Sequence, residues 1–261
     1  MPVDLNSDLG EGHGSWSMGD DDALLSVVTS ANIACGFHAG DAAIMQQVAE
    51  RAVQNKVAIG AHVAYRDLTG FGRRFIDMDP VTLQAEVMYQ IGALAGLARL
   101  AGGAVSYVKP HGGLYNAIVH HEEQARAVVA AVASFDASLV LMGLPGSVVL
   151  KLAEQSGLQT AHEAFADRAY TPEGTLVSRK EKDAVLHDPE VIAQRCIAMA
   201  TGEPIHDING DPLTLQPDSI CVHGDTPGAV DIARRVRAAL ERAGIELAPF
   251  APAKPDDARD T

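Results

Sequence analysis

Basic residues, aromatics and cysteines are all scarce in this chain. Twenty Lys and Arg stand against thirty-four Asp and Glu, a formal net charge of −14, and no polybasic run interrupts that balance. Binding to a phosphate backbone draws on clustered Lys and Arg, so nucleic acid is excluded as the expected partner. Aromatics make up 5% of the residues, which leaves Ala, Val, Leu and Ile to build the interior, as in helix-rich α/β enzymes. Cys35, Cys196 and Cys221 are an odd number without CxxC spacing. Neither a disulfide framework nor a cysteine-based zinc site is expected, and all three read as buried thiols. No apolar run reaches the roughly 18 residues of a membrane span, and Met-Pro-Val-Asp-Leu-Asn lacks the regions of a signal peptide. A cytoplasmic chain without membrane contact is the expectation.

Familiar catalytic strings are missing too. GxxxxGK[ST] does not occur, so an ATP-binding P-loop is absent, and there is no GxSxG elbow for a serine hydrolase. Gly10, Gly12 and Gly14 form a GxGxG string, but Ser15-Trp16-Ser17 follows where a helix would have to open. That argues for a sharply turning loop rather than a dinucleotide fingerprint.

What is present is a core and a rhythm. With 47% hydrophobic residues in 261, the chain has ample material for one large domain. Short β-type runs read at Val3 to Asp8, Ala31 to Cys35, Val57 to His62, Val105 to Val108, Leu139 to Met142, Thr160 to Ala164 and Ser219 to His223. A further short run falls at Ile245 to Ala248. Helix-opening signals lie between them: Asp41 before an apolar stripe, Asp79-Pro80 with a helix running to about Ala101, and His187-Asp188-Pro189. A last helix, Gly228 to Ala243, stops at Gly244. Alternating βα units predict a parallel sheet flanked by helices, closed into a TIM-like barrel or open and doubly wound. Asn209-Gly210 reads as the type I′ turn of an inserted β-hairpin between Ile205 to Ile208 and Leu213 to Leu215. No domain linker is visible, so residues 1–250 are expected to form one domain, with 251–261 a polar tail.

Ionisable residues gather where those strands end. Asp8 and Glu11 follow the first, His38 the second, Lys109 and His111 the fourth, and His223 and Asp225 the seventh; His62 and Glu163 sit on the third and sixth. In a parallel barrel these ends share one face, which is where active sites of such barrels lie. Several ionisable groups converging in a cleft are costly without a purpose. Each also has a plainer role: Asp8 in an Asx turn, Asp41 and Asp225 as N-caps, and His38 or His62 as a satisfied structural histidine. His120, His121, His187 and His206 read as surface residues, and Cys35 as packing rather than a nucleophile. The set suits hydrolysis by an activated water, with a carboxylate or neutral His as base and Lys109 or a protonated His facing the oxyanion. Asp8, His62 and His111 would also make a mixed N/O site for a divalent metal with a position left for water.

Six segments resemble the LamB/YcsF family: Asp4 to Gly12 (DLNSDLGEG), Ser30 to Asp41 (SANIACGFHAGD), Ile59 to His62 (IGAH), Val108 to Asn116 (VKPHGGLYN), Phe165 to Arg168 (FADR) and Val222 to Asp225 (VHGD). They follow the family's order from Val3 to about Ala248. The resemblance implies a seven-stranded (βα)7 barrel of the glycoside hydrolase/deacetylase type. It also implies ATP-dependent hydrolysis of 5-oxo-L-proline to L-glutamate, shared with 5-oxoprolinase subunits B and C. Because this chain has no nucleotide motif, ATP is assigned to the partners and ring opening to the barrel.

Carried over by position, Asp8, Glu11, His38, His62, Lys109, His111, Glu163, Arg168, His223 and Asp225 occupy the matching motifs. Asp8 or Glu11 is then the base, Lys109 with His111 stabilises the oxyanion, and Arg168 holds the substrate carboxylate or instead pairs with Glu163. Val63-Ala-Tyr-Arg-Asp67 departs from the family's Pro-Ser-Phe/Tyr-Pro-Asp type of segment, in a loop expected to shape the pocket. Two other readings stay open: a stand-alone metal-dependent amide hydrolase or carbohydrate deacetylase, and a non-catalytic subunit that activates its partners. Assembly into a homo-oligomer is left open.

Overall fold

The computed structural model describes residues 2–224, 228–251 and 253–255, and in it parallel strands close into a ring. The first six are β1 (Asp4–Leu9), β2 (Ser30–Ala34), β3 (Ala58–Val63), β4 (Gly103–Pro110), β5 (Val140–Gly143) and β6 (Thr160–Phe165). A small hairpin of β7 (Ile205–His206) and β8 (Pro212–Leu213) then precedes β9 (Ser219–Cys221). Strands β1 to β6 pair in sequence order, and β9 pairs with both β6 and β1, so the barrel has seven strands and no open edge. The closed alternative read from the sequence is therefore the one adopted.

The helices that cover the ring are α1 (Asp21–Leu25), α2 (Ala42–Gln54), α3 (Pro80–Ala101), α4 (Gly112–Ala117), α5 (Glu122–Phe135), α6 (Val148–Gln155), α7 (Pro189–Thr201) and α8 (Ala229–Arg242). Their starts follow from local chemistry. The Asp41, Asp79 and Asp188 side chains accept bonds from the first free N–H groups of α2, α3 and α7. Pro80 and Pro189 occupy first-turn positions where no N–H is needed.

Strand alternation sorts the side chains into two layers. Leu5, Leu9, Ile33, Ile59, Val108, Leu141 and Ile220 belong to the large core. The intervening residues converge on one another inside the ring: Asn6 bonds Ser219 and Asn32, and the Tyr107 hydroxyl donates to Asn32 at 2.7 Å. Asp4 accepts from Thr29, Ser30 and Ser219; burial lifts its carboxyl to about 6 against those bonds. Tyr107 packs with Ala58, Val140, Met142 and Ala161 in a separate cluster. It needs Gly60 on the next strand, where a β-carbon would lie 2.1 Å from its ring.

Three local expectations change. The hairpin pairs Ile205 with Leu213 and His206 with Pro212, leaving a five-residue loop, Asp207 to Asp211, instead of a two-residue turn. Gly210 has φ +89° but Asn209 lies outside the left-handed region that a type I′ turn demands at both positions. The Asp207 carboxylate organises the loop by accepting from the N–H groups of Asn209 and Asp211. Ile245 to Ala248 is not a strand; Leu247 makes a single bridge to Val3. Near the end of the chain, Phe250 packs on Tyr107 with ring centroids 4.8 Å apart, and β10 (Lys254–Pro255) pairs antiparallel with Gly103 and Ala104.

Candidate active site

At the carboxyl ends of the strands lies a cavity of about 530 Å³ lined by Asp8, Glu11, His62, Lys109, His111, Arg168 and His223 among others. His38 and Glu163 sit behind this wall, against Glu11 and Lys109 respectively. Nine of the ten sequence-predicted residues thus meet at one rim; Asp225 lies outside the described residues.

Lys109, the penultimate residue of β4, is 2% exposed and makes ion pairs with Asp8 at 2.9 Å and Glu163 at 2.7 Å. Its ammonium also lies 3.4 Å from Asn6 Oδ1 and 3.4 Å from Cys221 Sγ. Burial alone would favour a neutral amine, but the charge of Asp8, the Cys221 sulfur and Glu163 hold its pKa well above the ordinary value. Burial pushes Asp8 up in the same way, and His62 and Lys109 outweigh it, keeping the carboxyl well below its usual range. The three contacts of Asp8 to Lys109, Asn32 and His62 all run to Oδ1. An ammonium committed to two carboxylates has little left for an oxyanion, so the geometry supports Lys109 as the group that fixes and ionises Asp8.

A second cluster stands beside it. His62 Nδ1 donates to the Lys109 carbonyl at 3.0 Å, and His111 Nε2 donates to the Phe71 carbonyl at 2.9 Å. His62 Nε2 and His111 Nδ1 then face each other at 2.9 Å. Glu11 Oε1 lies 3.7 Å from His111 Nδ1 and 3.2 Å from His38 Nε2, and the His38 and His111 rings stack at 3.8 Å. Burial and the neighbouring imidazoles hold His38 and His111 well below the usual histidine range. The segment between β3 and α3 closes over this cluster. Phe71 packs edge-on against both rings, and a β-carbon on Gly72 would come within 2.7 Å of His38 Cβ.

Among the described residues, two groups have the donors for a metal ion: Glu11, His38, His62 and His111, and Asp8, Cys221 and His223. The grouping expected from sequence, Asp8 with His62 and His111, is not the one assembled. Asp8 is 3.4 Å from His62 but is already neutralised by Lys109.

Arg168 does not pair with Glu163. Its guanidinium donates to the carbonyls of Val177 and Ala184, anchoring the loop between β6 and α7, and burial lowers its pKa to about 10. That loop carries Arg179 and Lys180 to the cavity, while Arg73 arrives from the segment after β3. Arg179 Nη2 lies 2.9 Å from His223 Nε2, so His223 donates through Nδ1 to Asp167 at 2.7 Å. Phe165 stacks on the His223 ring at 5.5 Å. Sequence reasoning singled out neither Asp167 nor Arg179 nor Arg73. Asp167 had a usable signal, two residues beyond a strand end; the arginines reach the site only through loop geometry.

Val63 to Asp67 turns away from the cavity. Ala64 pairs through its backbone with the Gln90 amide and the Tyr65 hydroxyl bonds Gln124, so the segment is packed against helices rather than lining the pocket. Cys35 is buried, which pushes its thiol to about 12, as expected for a packing residue. His121 is half-buried and caps α5, unlike the exposed His120, His187 and His206.

The model of the LamB/YcsF family matches residues 3–255. The chain belongs to the LamB/YcsF family. A relative from Photorhabdus laumondii, named as the A subunit of 5-oxoprolinase, is 58% identical over 248 residues, covering 95% of this chain and 98% of its own. The crystal structure of a lactam utilization protein from Thermus thermophilus superposes with a TM-score of 0.91 at 40% identity, over 96% of this chain and 100% of that one. A family 4 carbohydrate esterase from Streptomyces lividans shares the barrel alone, with a TM-score of 0.52 at 13% identity over 98% of each chain. No helix among the described residues is long and apolar enough to cross a membrane.

Proposed function

We propose that this chain is the A subunit of an ATP-dependent 5-oxoprolinase and opens the lactam ring of 5-oxo-L-proline to give L-glutamate. The observation that carries this is the ionised Asp8, fixed by Lys109 on the wall of a cavity that also presents Arg168, Arg179 and His223. A γ-lactam with an α-carboxylate asks for a base to deprotonate water, donors toward the carbonyl oxygen and a cation for the carboxylate.

Asp8 takes the proton from the attacking water. Lys109, paired on both sides, is a positioning residue that keeps Asp8 charged. Arg179 receives the substrate carboxylate, because Arg168 is occupied with loop carbonyls. His223, held between Asp167 and Arg179, stands on the same wall, and the proton that Asp8 takes from water is the one delivered to the departing ring nitrogen. Glu11, His38, His62 and His111 form the opposite side of the water site.

A five-membered lactam is a resonance-stabilised amide with little strain, so activation of its carbonyl by phosphate supplies the missing driving force. Partner subunits B and C bring ATP, in keeping with the absence of a P-loop string here, and the three work together in the cytoplasm. The test mixes the purified chain with its two partner subunits and follows glutamate formation from 5-oxoproline and ATP. Turnover is expected only in the complete mixture and is lost in Asp8→Ala. Unchanged ATP-dependent turnover with Asp8→Ala would overturn the assignment.

A further inference from the structure

We infer that Glu11, His38, His62 and His111 together bind one divalent transition-metal ion of the zinc class. A neutral imidazole that donates from one nitrogen presents a lone pair at the other. His62 donates from Nδ1 to the Lys109 carbonyl and His111 donates from Nε2 to the Phe71 carbonyl. The lone pairs of His62 Nε2 and His111 Nδ1 therefore confront each other across 2.9 Å. Such an arrangement is repulsive until a proton or a metal ion sits between the two nitrogens, and a metal ion is the occupant that also engages Glu11 and His38 beside them.

The spacing fits an ion. Metal–nitrogen bonds of ~2.0–2.1 Å in a tetrahedral site place donors about 3.4 Å apart. The pairs here are 2.9 Å (His62 to His111), 3.2 Å (His38 to Glu11) and 3.7 Å (His111 to Glu11). All four donors fall within 4.8 Å of one another. Donation of the distal N–H to a backbone carbonyl, made by both His62 and His111, is the usual way a ligating histidine is oriented. Three imidazoles and one carboxylate suit Zn2+ or Co2+ better than Mg2+ or Ca2+.

Enclosure is also in place. Phe71 and Gly72 cover the histidines from the β3–α3 side, while Glu11, His62 and His111 reach the cavity wall. When bound, such an ion supplies Lewis acidity to water or a carbonyl oxygen entering from the cavity.

The test needs no turnover, so its outcome is independent of the 5-oxoprolinase reading. Chelator-treated chain, confirmed folded by its near-UV circular dichroism, is titrated with ZnCl2 by calorimetry, and the purified chain is analysed for metal by mass spectrometry. One equivalent bound with a dissociation constant below about 1 µM is expected. His62→Ala and His111→Ala should each weaken binding at least about 100-fold, and Glu11→Gln about 10-fold or more, with each variant checked for an unchanged dichroism spectrum. Asp8→Asn should keep full stoichiometry, which distinguishes this centre from one built on Asp8. In the Co2+ form, the visible ligand-field bands should be lost with His111→Ala even if that variant is less stable. Failure of folded wild-type chain to bind Zn2+ or Co2+ stoichiometrically, with ring-nitrogen NMR showing one proton shared by His62 and His111, would overturn the inference. Equal loss in Asp8→Asn would overturn the ligand set.

Discussion

Lys109 and Glu163 form an ion pair of 2.7 Å with side chains 2% and 0% exposed, deep in the polar interior of the barrel. Breaking a buried pair by removing one partner costs about 3–5 kcal/mol because the other charge is stranded. Lys109→Met strands two carboxylates, Asp8 and Glu163, and should destabilise the chain by that amount in urea unfolding. Glu163→Gln leaves Lys109 its second partner and should cost less. Equal stability of wild type and Lys109→Met would remove the structural half of the role given to Lys109.

Arg179 and Arg168 should separate kinetically. Arg179 is exposed and free of loop-anchoring bonds, so Arg179→Ala should raise the KM for 5-oxoproline roughly tenfold or more, as loss of a charge-assisted hydrogen bond predicts, with a smaller change in kcat. Arg168→Ala should lower the melting temperature as well, since its bonds to Val177 and Ala184 hold the loop. Steady-state assays of the reconstituted complex, paired with thermal melts, decide between the two patterns.

Asp4 has a pH signature of its own. Its carboxyl is raised from 3.8 to about 6 in the folded chain. The folded state therefore binds the proton more tightly, and the stability from this group is present below 3.8 and lost as pH rises through about 6. Urea unfolding of wild type and Asp4→Asn, compared from pH 4 to 7, should show the wild type losing ground to the variant by about 2 kcal/mol across that window. A constant difference would refute the shift.

The Gly60 to Tyr107 contact predicts strong coupling. Gly60→Ala places a carbon inside the Tyr107 ring, and overpacking of this kind costs about 1–3 kcal/mol. Tyr107→Leu alone opens a cavity of the opposite kind. The double variant should be more stable than the sum of the two predicts, and strict additivity would show that the strand shifts to absorb the clash.

The alternation of strands and helices was legible in the hydrophobic rhythm, but from the residues alone the sheet could close or stay open, and only the family resemblance implied the barrel. Asp8, His62, Lys109 and His223 could be placed on one rim from their positions alone. The partnerships among them could not. Whether Glu163 meets Arg168 or Lys109 depends on which of two cations points into the ring, and β4 aims Lys109 inward beside Tyr107 while Arg168 turns out to the loop. The donor group around His38 was hidden for a related reason, since it takes the three-dimensional path of Phe71 and Gly72 to bring Glu11 and His38 against His111. Arg179, in a charged loop stretch, carried no sequence mark at all. The hairpin was found, yet its turn was set by the Asp207 carboxylate rather than by Asn209-Gly210.

The Asn6 to Ser219 bond links residues 213 apart in sequence. Since β9 is the stave that joins β6 back to β1, the ring cannot close during synthesis until Ser219 to Cys221 have left the ribosome. Contacts of such range form late and slowly. Until then Asp4 and Asn6 face an open seam where Ser219 and Cys221 will stand, and a chain that stops before β9 cannot close the ring. A newly made chain thus gains its closed ring and its assembled rim in the same event.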